Sequence, residues 1–288
     1  MTEPTERTYT DAHGVEIVFD HYPAAGDPRA VVQLLHGIGE HARRYGNLID
    51  ALTADGYIVY ADDHRGHGRT GERQHGGDPS KIGHLGAGGL RATVAALSQF
   101  TDLIRAENPG LPLVILGHSW GSFMTQGLYN DHPDSYDAVV LSGSAYRMLG
   151  YMNVGNLNKR WDSKTSNGTE WMASDPAVGE AFLADPYTTT VPMQRLFSPG
   201  DQMRVLGRPA RDIRAPRPVL ILVGSDDPLG GPRSIEKLAD SYRHRSGLSD
   251  VTSIVYEGAR HEIFNEPLQG EVRDDLLAWL DAHIAVRN

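Results

Sequence analysis

Ser119 stands in the run Gly117-His118-Ser119-Trp120-Gly121, between Leu113-Val114-Ile115-Leu116 and Phe123–Tyr129. The first flank reads as a buried strand and the second as a helix. Gly-x-Ser-x-Gly between a strand and a helix is a nucleophile elbow, a strained turn that exposes a serine hydroxyl. Small residues at 117 and 121 let the backbone pack tightly around the serine. A helix starting just behind it brings amide N–H groups and the positive end of its dipole near the hydroxyl. Such a hydroxyl attacks a carbonyl carbon only with a base to take its proton, a group to orient that base, and donors for the oxyanion that forms.

Each of these has a candidate. The strand-like Val31–Leu35 runs into His36-Gly37-Ile38-Gly39-Glu40-His41. Glycines let this loop approach a substrate oxygen closely, and the Ile38 amide is the expected oxyanion donor, with the Trp120 amide as its partner. Downstream of Ser119, Val219–Val223 ends in Gly224-Ser225-Asp226-Asp227-Pro228, and Ser253–Tyr256 is followed by Glu257-Gly258-Ala259-Arg260-His261. A triad with the chain order serine, acid, histidine, each at a strand end, would be Ser119, Asp227 and His261. Asp227 is preferred to Asp226 because the loop must extend before it can reach the histidine; Asp226 is read as bracing the loop. His36, His41, His64 and His67 are read as hydrogen-bonded turns beside the site rather than as metal ligands.

The elements that would carry these residues follow from hydrophobic patterning. Val31–Leu35, Tyr57–Ala61, Leu113–Leu116, Ala138–Leu141, Val219–Val223 and Ser253–Tyr256 are short, mostly continuous apolar runs, as expected of strands covered on both faces of a parallel sheet. Leu90, Val94, Leu97, Thr101 and Ile104 share one helix face, as do Tyr45, Leu48, Ile49 and Leu52, and near the end Val272, Leu276, Leu277, Leu280 and Ile284. Alternating strands and helices predict a layered α/β domain. The alternation fails between about Tyr146 and Pro209, which predicts a core of residues 1–145 and 210–288 and a cap inserted at 146–209. That insertion holds five of the seven methionines. Met148, Met152, Trp161, Trp171 and Met172 are its candidate pocket-lining residues, being large or adaptable apolar groups.

Composition narrows the chemistry. Of 288 residues, 27 are basic and 37 acidic, for a formal net charge of −10. This repels phosphate backbones and argues against nucleic-acid binding. The absence of cysteine excludes disulfides, zinc–thiolate sites and a cysteine nucleophile. No run of 18 apolar residues is present to span a membrane, and the polar, acidic start does not resemble a signal peptide. A cytoplasmic enzyme is the expectation.

His36-Gly-Ile-Gly-Glu-His41 with Arg44-Tyr45, Asp63-His-Arg-Gly-His-Gly68, Gly117-His-Ser-Trp-Gly121, Gly224-Ser-Asp-Asp227 and Tyr256-Glu-Gly-Ala-Arg-His261, in that order, resemble the monoacylglycerol lipase and lysophospholipase group of α/β-hydrolases. The resemblance covers nearly all of the chain outside the cap. It implies the α/β-hydrolase fold, a mostly parallel eight-stranded sheet flanked by helices with an inserted helical cap. It also implies the triad and oxyanion donors named above, no metal and no organic cofactor. The implied reaction is hydrolysis of single-chain acyl esters by water through an acyl-enzyme. Beside the resemblance, the expectation is a monomer or homodimer in transient contact with a lipid surface. Two other readings stay open. Trp120-Gly121-Ser122 also resembles proline iminopeptidases of this fold; a peptidase would need an acid such as Glu170, Asp175, Glu180 or Asp185 to hold a substrate ammonium. A non-catalytic small-molecule-binding protein on this scaffold is the third reading.

Overall fold

Side-chain alternation along the central strands sets the architecture. In the computed structural model, which describes residues 3–284, strands β3 (Ala30–Leu35), β5 (Leu113–His118), β6 (Ala138–Ser142) and β7 (Val219–Gly224) are buried along their whole length. Successive residues point to opposite faces. Val31, Leu35, Leu113, Ile115, Val219 and Ile221 enter one apolar cluster, while Val32, Leu34, Val114, Leu116, Leu220 and Leu222 enter the other. Two-sided burial explains why these strands read as continuous apolar runs.

The sheet has eight strands in the order β1-β2-β4-β3-β5-β6-β7-β8, with β4 at Tyr57–Asp62 and β8 at Val251–Tyr256. From β4 to β8 every pairing is parallel. The strands β1 (Thr5–Thr10) and β2 (Glu16–Tyr22) add an antiparallel edge. Helices α3 (Gly89–Glu107), α4 (Trp120–Asp131) and α8 (Gly231–His244) cover the first cluster. Helices α1 (Gly46–Ala54) and α9 (Gln269–His283) cover the second. Helix α2 (Gly68–Gln74) packs near β2.

Between β6 and β7 the chain forms three short helices, α5 (Pro176–Ala184), α6 (Met193–Leu196) and α7 (Pro199–Val205). Met152, Leu196, Phe197 and Val205 from this segment join the first cluster, so part of the segment packs onto the core. Among the described residues no helix is long and apolar enough to cross a membrane.

Candidate active site

Because β5, β7 and β8 run parallel, their C-terminal ends lie along one edge of the sheet, where open α/β sheets bind ligands. Ser119, Asp227 and His261 follow those ends.

Ser119 has φ 52° and ψ −123°, a conformation that costs a non-glycine residue of order 1–3 kcal/mol and persists only when its surroundings enforce it. Those surroundings are visible. The Ser119 amide donates to the Ser142 carbonyl at 2.9 Å. Its carbonyl accepts from the Ser122 amide at 2.9 Å and the Ser122 hydroxyl at 2.5 Å. Close approach fixes the two glycines: a Cβ at Gly121 would sit 2.3 Å from the Leu35 carbonyl oxygen, and one at Gly117 2.6 Å from that of Gly121.

His261 is buried, and its Nδ1–H donates to Asp227 Oδ2 at 3.0 Å. The other Asp227 oxygen accepts the Leu229 amide at 2.8 Å, which fixes the carboxylate. With the proton on Nδ1, the lone pair sits on Nε2, and Nε2 has no hydrogen-bond partner among the described residues. The ring packs between His118 and Trp171, at centroid distances of 4.8 and 4.9 Å. It reaches the turn after β6, since a Cβ on Gly143 would lie 3.1 Å from His261 Cε1; the adjacent Ser142 carbonyl is the one that holds Ser119. Burial disfavours a charged ring, but the Asp227 carboxylate, with Glu262 and Glu40 farther off, outweighs it and holds the His261 pKa above the usual 6.5. Burial, with repulsion from His261, pushes His118 down to about 3, so the neighbouring ring stays neutral.

The loop after β3 lies against the nucleophile: a Cβ at Gly37 would come within 3.2 Å of Ser119 Cβ. Glu40 shapes this loop by accepting the Gly37 amide and the Tyr45 hydroxyl, both at 2.7 Å. Arg44 bridges Glu40 at 2.5 Å and Glu262 at 2.9 Å, joining the loop to the residue beside His261. The amides of Ile38 and Trp120 donate to no protein acceptor among the described residues. His36 and His64 stack at 3.7 Å. His36 Nε2 accepts the His64 amide at 2.9 Å, and its Nδ1–H donates to the Gly37 carbonyl. These rings brace the loop from behind.

A cavity of about 270 Å³ opens at Ser119, bounded by the β3 loop, the start of α4 and the insertion. Of the five candidate lining residues in the insertion, Met152, Trp171 and Met172 border it. Met148 and Trp161 do not. Met148 packs against the sheet's first cluster, and Trp161 lies against the guanidinium of Arg260, 4.7 Å from the ring centroid. Composition cannot say which way each side chain points. Phe123, Phe182 and Met193 also line the cavity. Phe123 carried a readable signal, since it lies one helical turn beyond Ser119.

No residue lining the cavity is charged. The acids that a peptidase reading would enlist are engaged elsewhere. Glu170 accepts from Asn158, Asp175 caps α5, and Asp185 pairs with His41 at 2.8 Å; Glu180 is exposed and outside the lining. Asp226 pairs with Arg160 of the insertion at 2.5 Å.

A family model described as serine aminopeptidase, S33, matches residues 26–268. A monoacylglycerol lipase of Mycolicibacterium smegmatis is 31% identical, over 97% of this chain and 98% of that protein. A monoglyceride lipase of Mus musculus is 27% identical, over 96% and 90%. Among solved structures, a thermostable carboxyl esterase of Bacillus coagulans superposes with a TM-score of 0.84 at 22% identity, over 99% of this chain and 100% of that one. A soluble variant of the Saccharomyces cerevisiae monoglyceride lipase gives 0.76 at 22%, over 100% and 97%. The chain therefore belongs to the serine aminopeptidase S33 family of α/β-hydrolases, within its monoacylglycerol lipase group.

Proposed function

We propose that this ester-cleaving serine hydrolase acts on monoacylglycerols and lysophospholipid-like single-chain acyl esters, with Ser119, His261 and Asp227 as its triad. The observation that carries the reading is the buried Asp227–His261 pair, its Nε2 unpartnered, beside a strained serine that opens into an uncharged cavity. The Ser119 hydroxyl attacks the ester carbonyl and its proton passes to Nε2. Asp227 holds the tautomer and stabilises the imidazolium. The amides of Ile38 and Trp120 receive the oxyanion, each such donor contributing ~3 kcal/mol. The alcohol leaves with the proton from Nε2. Water, deprotonated by the same nitrogen, then releases the acid.

Residues 146–209 are read as a cap over this site. An aminopeptidase is disfavoured because a substrate ammonium would find no carboxylate in the lining. The test is release of glycerol from monooctanoylglycerol. The protein should turn it over far faster than a prolyl naphthylamide, and Ser119→Ala should abolish turnover while circular dichroism stays unchanged. Turnover that survives Ser119→Ala, or faster cleavage of the amide, refutes the proposal.

A further inference from the structure

A second cavity, of about 660 Å³, lies between α3 and α4. Leu90, Val94, Met124 and Leu128 supply an apolar inner wall, buried Arg147 also lines it, and exposed Arg91, Asp102, Asp131 and Arg204 stand at its outer side. Three residues line both this cavity and the one at Ser119, namely Trp120, Phe123 and Val205. The partition is thus a single layer of side chains. Its backbone is pinned, since buried Arg147 donates to the Val205 carbonyl at 3.0 Å and to Gln126 Oε1 at 3.1 Å. The cavity at Ser119, at about 270 Å³, lies just below the range of ligand sites, which run from about 300 to 1,000 Å³.

We infer that the Phe123 and Val205 side chains set the acyl-length limit of this enzyme, by closing the catalytic cavity against a second cavity whose apolar wall would otherwise receive the tail of a long acyl chain. The inference rests on the ester-hydrolase reading of the site. Its occupant follows from continuity: the part of a substrate bound at Ser119 that could pass this wall is its apolar part, the acyl chain. Trimming a pocket wall ordinarily admits one or two more methylenes. Trimming this one joins two cavities, so tolerance should jump to chains many carbons longer.

The test compares kcat/KM on p-nitrophenyl butyrate, octanoate and palmitate. Wild type should strongly prefer the two shorter esters. Val205→Ala and Phe123→Ala should each raise the palmitate-to-octanoate ratio roughly tenfold or more. Gly127 supplies the control: it lines only the second cavity, and a Cβ there meets nothing within 4 Å. Gly127→Phe, one helical turn beyond Phe123, should obstruct that cavity beside the wall, leave the wild-type ratio alone, and cancel the gain when combined with Val205→Ala. Ratios within about twofold of wild type in both trimmed variants, with octanoate turnover retained, overturn the inference. So does a gain that survives Gly127→Phe, because the tail would then lie elsewhere. A wild-type protein that cleaves none of these esters refutes the hydrolase reading itself, and this inference with it.

Discussion

Asp227 both holds a proton on His261 Nδ1 and offers a counter-charge when the ring becomes a cation. An amide of the same shape does neither: its NH₂ group would donate to Nδ1 and drive the proton to Nε2. Asp227→Asn should therefore lower kcat roughly ten-thousandfold, with KM changed little, as read by steady-state kinetics on a soluble ester. The pH profile follows from the same pair. Only the neutral ring can act as base, and its pKa is held above 6.5. Activity should be full above that pKa and lost as pH falls through it, and an acid limb of kcat/KM centred below 6.5 would contradict the assignment. These side chains were legible because each is tied to a strand end by chain order. In the sequence Ser122 stands out only as the end of Trp120-Gly121-Ser122. That its hydroxyl holds the Ser119 carbonyl is a matter of three-dimensional placement that spacing does not encode.

Between residue and molecule stand the loops that aim these groups, and Arg44 ties two of them together. It sits in the turn Ala42–Tyr45 just before α1 and spans Glu40 and Glu262, with all three side chains no more than 10% exposed. Removing the cation leaves two buried carboxylates without a counter-charge, which costs ~3–5 kcal/mol. Arg44→Met should lose about that much in urea unfolding. It should also lower kcat more than it raises KM, because Glu40 loses its brace while still holding the Gly37 amide. Arg73 offers the contrast, since its side chain is 40% exposed beside Glu6 and Glu16. Arg73→Met should cost no more than about 1 kcal/mol. At this scale the sequence was uneven. The buried parallel strands stood out because both faces are apolar. The β1–β2 hairpin did not, since β1, with Glu6 and Arg7 among its threonines, reads as polar chain; its burial is confined mainly to Tyr9. Helix α8 was also unread, although its buried Ile235, Leu238 and Tyr242 follow a helical period.

Taken whole, the molecule separates its polarity. Among the described residues, five of the six large apolar residues that are exposed, Leu149, Val154, Leu183, Val191 and Met203, lie between β6 and β7, and Val154 and Val191 also line the catalytic cavity. A formal charge of −10 gives no electrostatic attraction to an anionic bilayer. Any seat on a lipid surface must therefore be apolar, through this segment, and its strength should depend little on salt. Leu149, Leu183 and Met203 are outside the lining of the catalytic cavity, so replacing them with serine changes the outer face without touching the site. The triple variant should keep the wild-type rate on dissolved p-nitrophenyl butyrate. On monolauroylglycerol carried in phosphatidylcholine vesicles it should slow by roughly a hundredfold, since each of the three side chains withdrawn from lipid forfeits on the order of 1 kcal/mol. Equal losses on both substrates would mean that the substitutions had damaged the site. Unchanged rates on both would mean that the exposed apolar residues serve no lipid surface, and that substrate reaches Ser119 from solution.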